Sequence, residues 1–197
     1  GGQADLAARK IRCVGDAAKR FREDALRMLR AWRFSAQLGF QIEDDTARAI
    51  RENAGLCRLL SRERVCAEAE KTLLSPRPET LSVMLREGLL AACGIEGDYE
   101  LHALKTVSAE ADARWAMLKV LIPKLDMQQF RLPSRRVQLA ETAAAAYRPS
   151  YARQELKALL AASGEDVARV CAKLSNQEVL LEEILQSGEC VSLRGLA

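Results

Sequence analysis

The sequence predicts an all-α protein, and three observations support this fold class. Aromatic residues make up only 5% of the 197 residues, which is fewer than a β-sandwich or a β-barrel usually carries. Apolar residues recur at spacings of three and four along almost the whole chain, which is typical of helices that bury one face. After residue 15, no segment shows the alternation of a half-buried strand. We therefore expect helices throughout and no substantial sheet.

The first part of the chain divides into a loop and three helices. Residues 1–16 are expected to form a loop-rich segment with a short apolar alternation at Ile11 and Val14, which ends at Gly15 and the N-cap residue Asp16. Helical spacing then predicts helices at 21–38, 45–60 and 61–74. Gly39 is expected to end the first of these helices, and Ser61 is expected to cap the third.

The clearest break in the helical pattern is the segment SPRPET at 75–80, because its two prolines disfavour a continuous helix. We place a domain boundary there, which predicts a first domain over 1–75 and a second over 76–197. Further helices are expected at 79–93, 109–121, 134–147, 151–162, 165–174 and 176–186.

Several classes of protein are excluded by the sequence. No apolar run approaches the roughly 18 residues that a bilayer span needs, and the first residues lack the apolar core of a signal peptide. We therefore expect a cytoplasmic protein with no membrane partner. The six cysteines form no C-x-x-C pair and His102 is the single histidine, so no zinc site can be assembled. We expect idle thiols and no catalytic role for His102.

The net charge of +3 is unevenly distributed along the chain. Residues 1–33 carry nine Lys and Arg against four acidic residues, whereas residues 34–197 carry 21 against 23. Since positive charge attracts phosphate, we expect a phosphate-bearing partner to contact the first segment. A smaller basic cluster at Arg131, Arg135 and Arg136 is interpreted as a solvated helix start rather than an RNA contact. Trp32 and Trp115 lie among apolar residues and are interpreted as core residues.

One helix face of the first segment concentrates charged groups. On a single helix, four charged residues fall within an arc of roughly 80°: Arg20, Glu23, Arg27 and Arg30. Asp24 lies about 60° from Arg27 on the same helix. The simplest interpretation is an exposed face joined by ion pairs from Glu23 and Asp24 to Arg27, each contributing a few tenths of a kcal/mol.

The same groups have a second interpretation, which is recognition of a nucleobase. A carboxylate accepts hydrogen bonds and a guanidinium donates them in a fixed geometry. Cytosine and adenine each present an exocyclic amine beside an unprotonated ring nitrogen, whereas uracil and guanine present a carbonyl beside a ring N–H. Asp24 with Arg27 therefore matches cytosine and adenine and disfavours the other two bases. The spacing alone leaves both interpretations open.

Three motifs of the first domain carry a resemblance to a known family. They are GG-x-x-DL-x-x-x-x-IR-x-VGD at 1–16, RF-x-EDALRMLRA-x-RF-x-x-x-LGF-x-IE at 20–43, and S-x-ER at 61–64. Together they resemble the neck region of class II tRNA nucleotidyltransferases, the bacterial CCA-adding enzymes. The resemblance implies that Asp24 and Arg27 pair with the base of the incoming CTP or ATP and that Glu23 steadies the arginine. Arg30 is a further nucleotide-binding candidate. Arg30 and Arg33 either contact a triphosphate or ribose or pair with Glu23 and other acids, and the sequence leaves both interpretations open.

The resemblance also implies what the rest of the chain does. Residues 76–197 resemble, more diffusely, the helical body that holds tRNA in this family, and SLRGLA at 192–197 resembles the start of the tail. The family's catalytic head carries G-G-x-x-R-D, D-x-D and R-R-D motifs, which have no counterpart in this sequence. The head binds the Mg²⁺ ions of the two-metal mechanism. We therefore expect this chain to be a neck and body without the head, and to be inactive alone.

Two alternatives share part of this pattern. A bacterial poly(A) polymerase carries the same E-D-x-x-R helix, although the sequence ERVCAEAEKTLL after Ser61 does not resemble the continuation typical of those polymerases. A helical RNA-binding module with no enzymatic context would also explain the basic first segment. The sequence does not decide whether the intact enzyme adds CCA, CC or A, which body residues contact tRNA, or the oligomeric state.

Overall fold

The computed structural model describes residues 2–188, and it confirms the all-α fold. The α-helices are α1 (Gly2–Ala7), α2 (Ala17–Glu23), α3 (Leu26–Leu38), α4 (Asp44–Asn53), α5 (Arg62–Leu73), α6 (Thr80–Arg86), α7 (Ala111–Leu121), α8 (Ser134–Ala146), α9 (Arg153–Ser163), α10 (Glu165–Leu174) and α11 (Glu178–Gln186). Four 3-10 helices lie at Ala54–Leu59, Ala91–Cys93, His102–Thr106 and Met127–Phe130. The segment SLRGLA lies outside the described residues.

Two short parallel strands join distant parts of the first segment. Strand β1 (Lys10–Ile11) pairs with β2 (Gln41–Ile42), with Lys10 opposite Gln41 and Ile11 opposite Ile42. The residues before Asp16 were expected to be rich in loop, and they contain α1 and β1. A strand of two residues gives no periodicity to detect, so local sequence could not predict this pairing.

The described residues divide into two compact units. The first unit comprises 2–105 and 125–132, and the second comprises 106–124 and 133–188. This division differs from the boundary expected at SPRPET, because α6 packs against α3 and α5 of the first unit. The prolines instead form a turn, in which the Ser75 hydroxyl donates to the Thr72 carbonyl (2.6 Å) and accepts from the Arg77 amide (3.2 Å).

In the first unit, α3 packs against α5 and α2 packs against α4. The buried residues of these helices include Phe21, Met28, Leu29, Ile50 and Leu73. Since these residues recur at helical spacing, the apolar pattern predicted the packed faces correctly.

In the second unit, α7 packs against α8 and α10. Trp115 is fully buried and is a core residue, as expected. Alanines of the three helices are also buried, namely Ala116, Ala140, Ala143, Ala168 and Ala172. Small side chains allow helices to approach closely. Among the residues that the structure describes, no helix has both the length and the apolar character of a membrane span.

Candidate nucleotide-binding site

The expected helix at 21–38 is interrupted at its charged face. α2 ends at Glu23 and α3 begins at Leu26, because Asp24 has an extended backbone with φ −153° and ψ 104°. The Asp24 carboxylate explains the break: its Oδ1 atom accepts a hydrogen bond from the Leu26 amide at 3.1 Å. A short acidic side chain competes in this way with the helical backbone pattern. The single-helix arrangement predicted for Asp24 and Arg27 was therefore wrong.

Arg27 is anchored at one end of its guanidinium. Its Nη1 atom donates to Glu23 Oε2 at 2.9 Å and to the carbonyl oxygen of Arg20 at 2.8 Å. These two bonds use both hydrogens of Nη1. Within residues 2–188, Nη2 and Nε of Arg27 make no hydrogen bond, and the side chain is 33% exposed. Arg27 thus presents oriented donors at the surface.

Glu23 is the anion that holds this arrangement together. Its Oε2 atom accepts from Arg27 Nη1 and also from Arg20 Nη1, at 2.7 Å. The pKa of the Glu23 carboxyl is lowered, chiefly by the hydrogen bond from Arg27 and also by Arg20. The expected pairing of Glu23 with Arg27, four residues apart on the chain, is therefore present, and it spans the α2–α3 junction rather than one helix.

Asp24 is held by a residue that sequence reasoning did not select. Arg64, in the first turn of α5, donates from Nη2 to both Oδ1 and Oδ2 of Asp24, each at 3.2 Å. With the Leu26 amide, three of the roughly four acceptor positions of the carboxylate are then in use. One acceptor position remains on Oδ2, and the side chain is 31% exposed. The S-x-ER motif contains Arg64, but a motif by itself does not reveal its partner.

A nearly buried ion pair joins α3 to α5. Arg33 and Glu68 approach to 2.9 Å and both side chains are nearly buried. Among the described residues, Arg33 Nε and Glu68 Oε2 have no hydrogen-bond partner, so their contact is an ion pair without hydrogen-bond geometry. Lys71 lies 3.5 Å from the other Glu68 oxygen. This buried pair fixes the helix that carries Arg27 against the helix that carries Arg64.

Arg30 differs from the other three predicted residues. Its side chain is exposed, and it makes no ion pair with Glu23 or with any other residue in the described part of the chain. Trp32 is only half-buried, and its indole Nε1 donates to Glu87 Oε2 at 3.0 Å. α3 thus carries a fixed cation, Arg27, and an unneutralised one, Arg30.

Each arginine of the other basic cluster lies near a carboxylate. Arg135 pairs with Asp166 at 2.8 Å and Arg136 pairs with Asp112 at 2.8 Å. Arg131 lies 3.6 Å from Glu63.

The cysteines and His102 form no reactive site among residues 2–188. Five cysteines are free thiols, and Cys190 lies outside the described residues. Burial raises the pKa of Cys57 to about 12 and that of Cys93 to about 11, which disfavours the thiolate. His102 is largely exposed and lies 3.8 Å from Glu100. No group of three His, Cys, Asp or Glu side chains in this part of the chain is arranged to hold a metal ion.

A known protein family matches part of the first unit. The family described as "Probable RNA and SrmB-binding site of polymerase A" matches residues 39–93, which include α4, α5 and α6.

Curated relatives share the sequence over a longer stretch. The CCA-adding enzyme of Geobacillus thermodenitrificans is 42% identical over 125 residues, covering 60% of this chain and 31% of that protein. The CCA-adding enzyme of Bacillus velezensis is 37% identical over 154 residues, covering 71% of this chain and 39% of that protein. The chain thus spans about a third of the length of these relatives.

Solved structures extend the similarity to almost the whole chain. The Bacillus stearothermophilus CCA-adding enzyme, in complex with CTP, superimposes with a TM-score of 0.80 at 30% identity. That match covers 98% of this chain and 54% of the other. A tRNA nucleotidyltransferase complexed with a primer tRNA and an incoming ATP analog superimposes with a TM-score of 0.62 at 21% identity, which shows a shared fold.

Proposed function

We propose that this chain, which corresponds to a region of the CCA-adding class II tRNA nucleotidyltransferases, selects the nucleobase of the incoming CTP or ATP and holds tRNA. The observation that carries the proposal is the pair of anchored groups at the α2–α3 junction. Asp24 is fixed by Arg64 and the Leu26 amide, and Arg27 is fixed by Glu23. Both remain partly exposed. An anchored acceptor beside an anchored donor is what selection by hydrogen bonding requires.

The pair favours two bases for a chemical reason. The remaining acceptor position of Asp24 takes the exocyclic amine of cytosine or adenine, and Arg27 Nη2 or Nε donates to the adjacent ring nitrogen. Uracil and guanine would instead place a carbonyl against the carboxylate and an N–H against the guanidinium. Each mismatch leaves polar groups desolvated without partners, at a cost of about 1–3 kcal/mol.

We assign tRNA holding to the helical body because the family resemblance implies it, and the structural match to a CCA-adding enzyme, which covers 98% of this chain, supports the resemblance. The resemblance implies a neck at 1–75 and a body at 76–197, and in this assignment the body includes α6, which packs in the first compact unit. Many basic side chains of the second unit are already paired, for example Arg148 with Glu155 and Arg153 with Glu183. Those pairs leave little free charge, so we expect shape rather than charge density to dominate the contact of the body with tRNA.

The intact enzyme of the proposal uses Mg²⁺, which the resemblance assigns to the head domain. The residues described here do not fit that metal, since no three potential ligands of a suitable kind come together among them. No step proposed for this chain therefore passes through a metal ion. Its own residues bind and orient the base, and the transfer chemistry is assigned to the head of the same protein.

The proposal is tested by nucleotide selectivity in binding. We would titrate the 197-residue chain with CTP, ATP, UTP and GTP and follow backbone amide shifts, which detect weak binding. The wild type should prefer CTP over UTP and ATP over GTP, and Asp24→Ala should lose about 5- to 100-fold of that preference. Arg27→Ala should additionally weaken binding of CTP and ATP.

A matched control is available on α4. Asp45 also pairs with an arginine three residues away on the chain, Arg48, at 2.8 Å and is exposed. Asp45→Ala removes the same charge away from the junction and should leave every nucleotide affinity unchanged. The proposal would be contradicted if the wild type bound all four nucleotides equally or if Asp24→Ala kept the wild-type preferences. The ion pairs at the α2–α3 junction would then have only a structural role.

A poly(A) polymerase is the second candidate, because the matching family model names polymerase A. The titration separates the two functions. A CCA-adding enzyme must accept CTP and ATP at the same residues, whereas a poly(A) polymerase would bind ATP in preference to CTP.

A further inference from the structure

The C-terminal end of α3 carries two arginines that come from other parts of the first unit. Gly39 ends this helix, and Phe40 follows it. The guanidinium of Arg9 lies over the Phe40 ring, 5.7 Å from the ring centroid. The Arg77 guanidinium packs on Gly39 so closely that a Cβ atom there would lie 3.0 Å from its Nη2 atom. The two cations thus flank two consecutive residues, at the end of α3 opposite to the base-selecting pair.

These cations are not neutralised by the described part of the chain. The side chains of Arg9 and Arg77 are exposed, and within residues 2–188 neither makes an ion pair or a side-chain hydrogen bond. Lys10, next to Arg9 on β1, is also exposed and makes no ion pair with the described residues. An external anion can therefore bind all three cations without displacing a carboxylate of the described chain.

Arg9 has a backbone conformation that favours glycine. Its φ is 52°, in the left-handed region, where the Cβ atom of any other residue is strained. The strained backbone is held in place, because the Arg9 carbonyl accepts a hydrogen bond from the Gln41 amide at 3.0 Å. Glycine would suit this backbone better, so the strain indicates that the arginine side chain has a use of its own.

Arg77 projects from the segment SPRPET, which the sequence suggested as a linker. Pro76 and Pro78 flank Arg77 and restrict its backbone. The Ser75 hydroxyl accepts a hydrogen bond from the Arg77 amide at 3.2 Å, and the Arg77 carbonyl accepts one from the Thr80 amide at 3.1 Å. A fixed backbone reduces the entropy that is lost when a ligand binds. The segment therefore presents a pre-oriented cation.

We propose that Arg9, Lys10 and Arg77 bind backbone phosphates of RNA, at a site separate from the base-selecting pair. The inference rests on the proposed function, which supplies the RNA. This end of α3 lies roughly 18 Å along the helix axis from Arg27. A phosphate bound here would therefore belong to a nucleotide several positions away from the RNA end. Guanidinium groups suit this ligand, because their paired donors match two oxygens of a phosphate.

Other roles of the same cations must be separated by experiment. Positive charge near the C-terminal end of a helix stabilises that helix, so the first alternative is a purely structural role. A free phosphate ion and an acidic protein segment also carry the negative charge that these cations attract. RNA is favoured over both, because the proposed function already requires the chain to hold it.

The test measures how RNA affinity depends on salt. The probe is a 5′-labelled RNA hairpin, and fluorescence anisotropy gives its Kd with the 197-residue chain between about 50 and 200 mM salt. Loss of one phosphate contact should weaken binding several-fold at the lower salt and reduce the slope of log Kd against log salt by about 1. We expect both changes for Arg9→Gly and for Arg77→Ala.

Stability separates binding from a structural role. Arg9→Gly relieves the left-handed strain, so its Tm should equal or exceed that of the wild type while RNA binding weakens. A purely structural arginine would give the opposite result, a lower Tm with an unchanged salt slope. Arg77→Lys keeps the charge but loses the paired donors, so it should keep the wild-type slope and recover only part of the affinity.

Arg58→Ala is the matched control. Arg58 lies in the same unit and is exposed, but it is already paired with Glu96 at 2.9 Å. Its replacement removes the same charge and should change neither the Kd nor the salt slope. This comparison excludes a general effect of net charge.

Four outcomes would overturn the inference. They are a wild-type slope in both Arg9→Gly and Arg77→Ala; an equal loss of affinity in Arg58→Ala; no detectable binding of the hairpin by the wild type; and complete displacement of the hairpin by inorganic phosphate or polyglutamate at the same concentration of charge. Failure of base selection is distinguishable from these. Arg9→Gly should keep the wild-type preference for CTP over UTP, and Asp24→Ala should keep the wild-type salt slope, because the two sites lie at opposite ends of α3.

Discussion

At the scale of single residues, two carboxylates that are adjacent in sequence have different environments. Glu23 occupies the last turn of α2 and binds two arginines. Asp24 leaves the helix, caps the Leu26 amide and receives Arg64 from another helix. Helical spacing predicted the contact from Glu23 to Arg27, because that contact depends on near neighbours. It could not predict the contact from Arg64, which lies 40 residues away from Asp24 in sequence and depends on how α3 and α5 pack.

Arg64 is expected to act as a positioning residue for Asp24. Arg64→Ala should reduce the preference for CTP over UTP, though less than Asp24→Ala does, because the Leu26 amide still holds one carboxylate oxygen. Global stability should change by no more than about 1 kcal/mol, since the pair is partly exposed. The amide-shift titration used for Asp24 measures the first effect, and thermal melting measures the second.

Two comparisons isolate the role of Arg64. Arg58 forms an exposed ion pair with Glu96 at 2.9 Å, so Arg58→Ala is a control that removes an equivalent charge elsewhere. Arg64→Lys keeps the charge but loses the planar guanidinium, and it should restore only part of the preference. An Arg64→Ala variant with full selectivity would show that Asp24 needs no support from α5.

At the scale of elements, helix ends were predicted best where one residue type decides them. Asp16 was expected to cap a helix, and its Oδ1 atom accepts from the Lys19 amide at 3.0 Å. Gly39 was expected to end α3, and it adopts the left-handed conformation with φ 69°. The expected helix at 45–60 is shorter, because Ala54–Leu59 forms a 3-10 helix after α4. No strong local signal marks that change, since both helix types place apolar residues three apart.

Gly39 is expected to be essential to the end of α3. A Cβ atom at this position would be strained by the positive φ and would lie 3.0 Å from Nη2 of Arg77. Gly39→Ala should therefore destabilise the protein by about 1–2 kcal/mol, which corresponds to a fall in Tm of roughly 2–8 °C. Differential scanning calorimetry measures the shift.

Gly55 provides the matched control for that substitution. No atom lies within 4 Å of a Cβ built there, and its φ is not in the left-handed range. Gly55→Ala should leave Tm unchanged or raise it slightly, because alanine reduces the entropy of the unfolded chain. If both variants melted alike, backbone conformation at Gly39 would not be the reason for glycine there.

At the scale of the whole molecule, the sequence predicted the fold class but not the division into units. Two prolines at 75–80 indicated a boundary, yet the following helix α6 buries Leu81, Met84 and Leu85 within the first unit. Residues 125–132 also belong to that unit, although they follow a segment of the second one. The chain comes back to the first unit through tertiary packing, which leaves no local sequence pattern. Composition and proline placement therefore could not predict it.

The last prediction concerns the activity of the 197-residue chain by itself. The sequence contains no D-x-D pair, and its described residues offer no cluster suited to a metal ion. Phosphoryl transfer by the two-metal mechanism needs such carboxylates to bind the metal ions that stabilise the attacking and leaving oxygens. We therefore expect the chain to bind CTP and ATP but to add neither to tRNA, with Mg²⁺ or Mn²⁺. Incubation with labelled nucleotide and tRNA, beside an active CCA-adding enzyme as the positive control, measures this directly. Labelling of tRNA above a protein-free sample would mean that the chain contains transfer chemistry, and the separation of base selection from catalysis proposed here would fail.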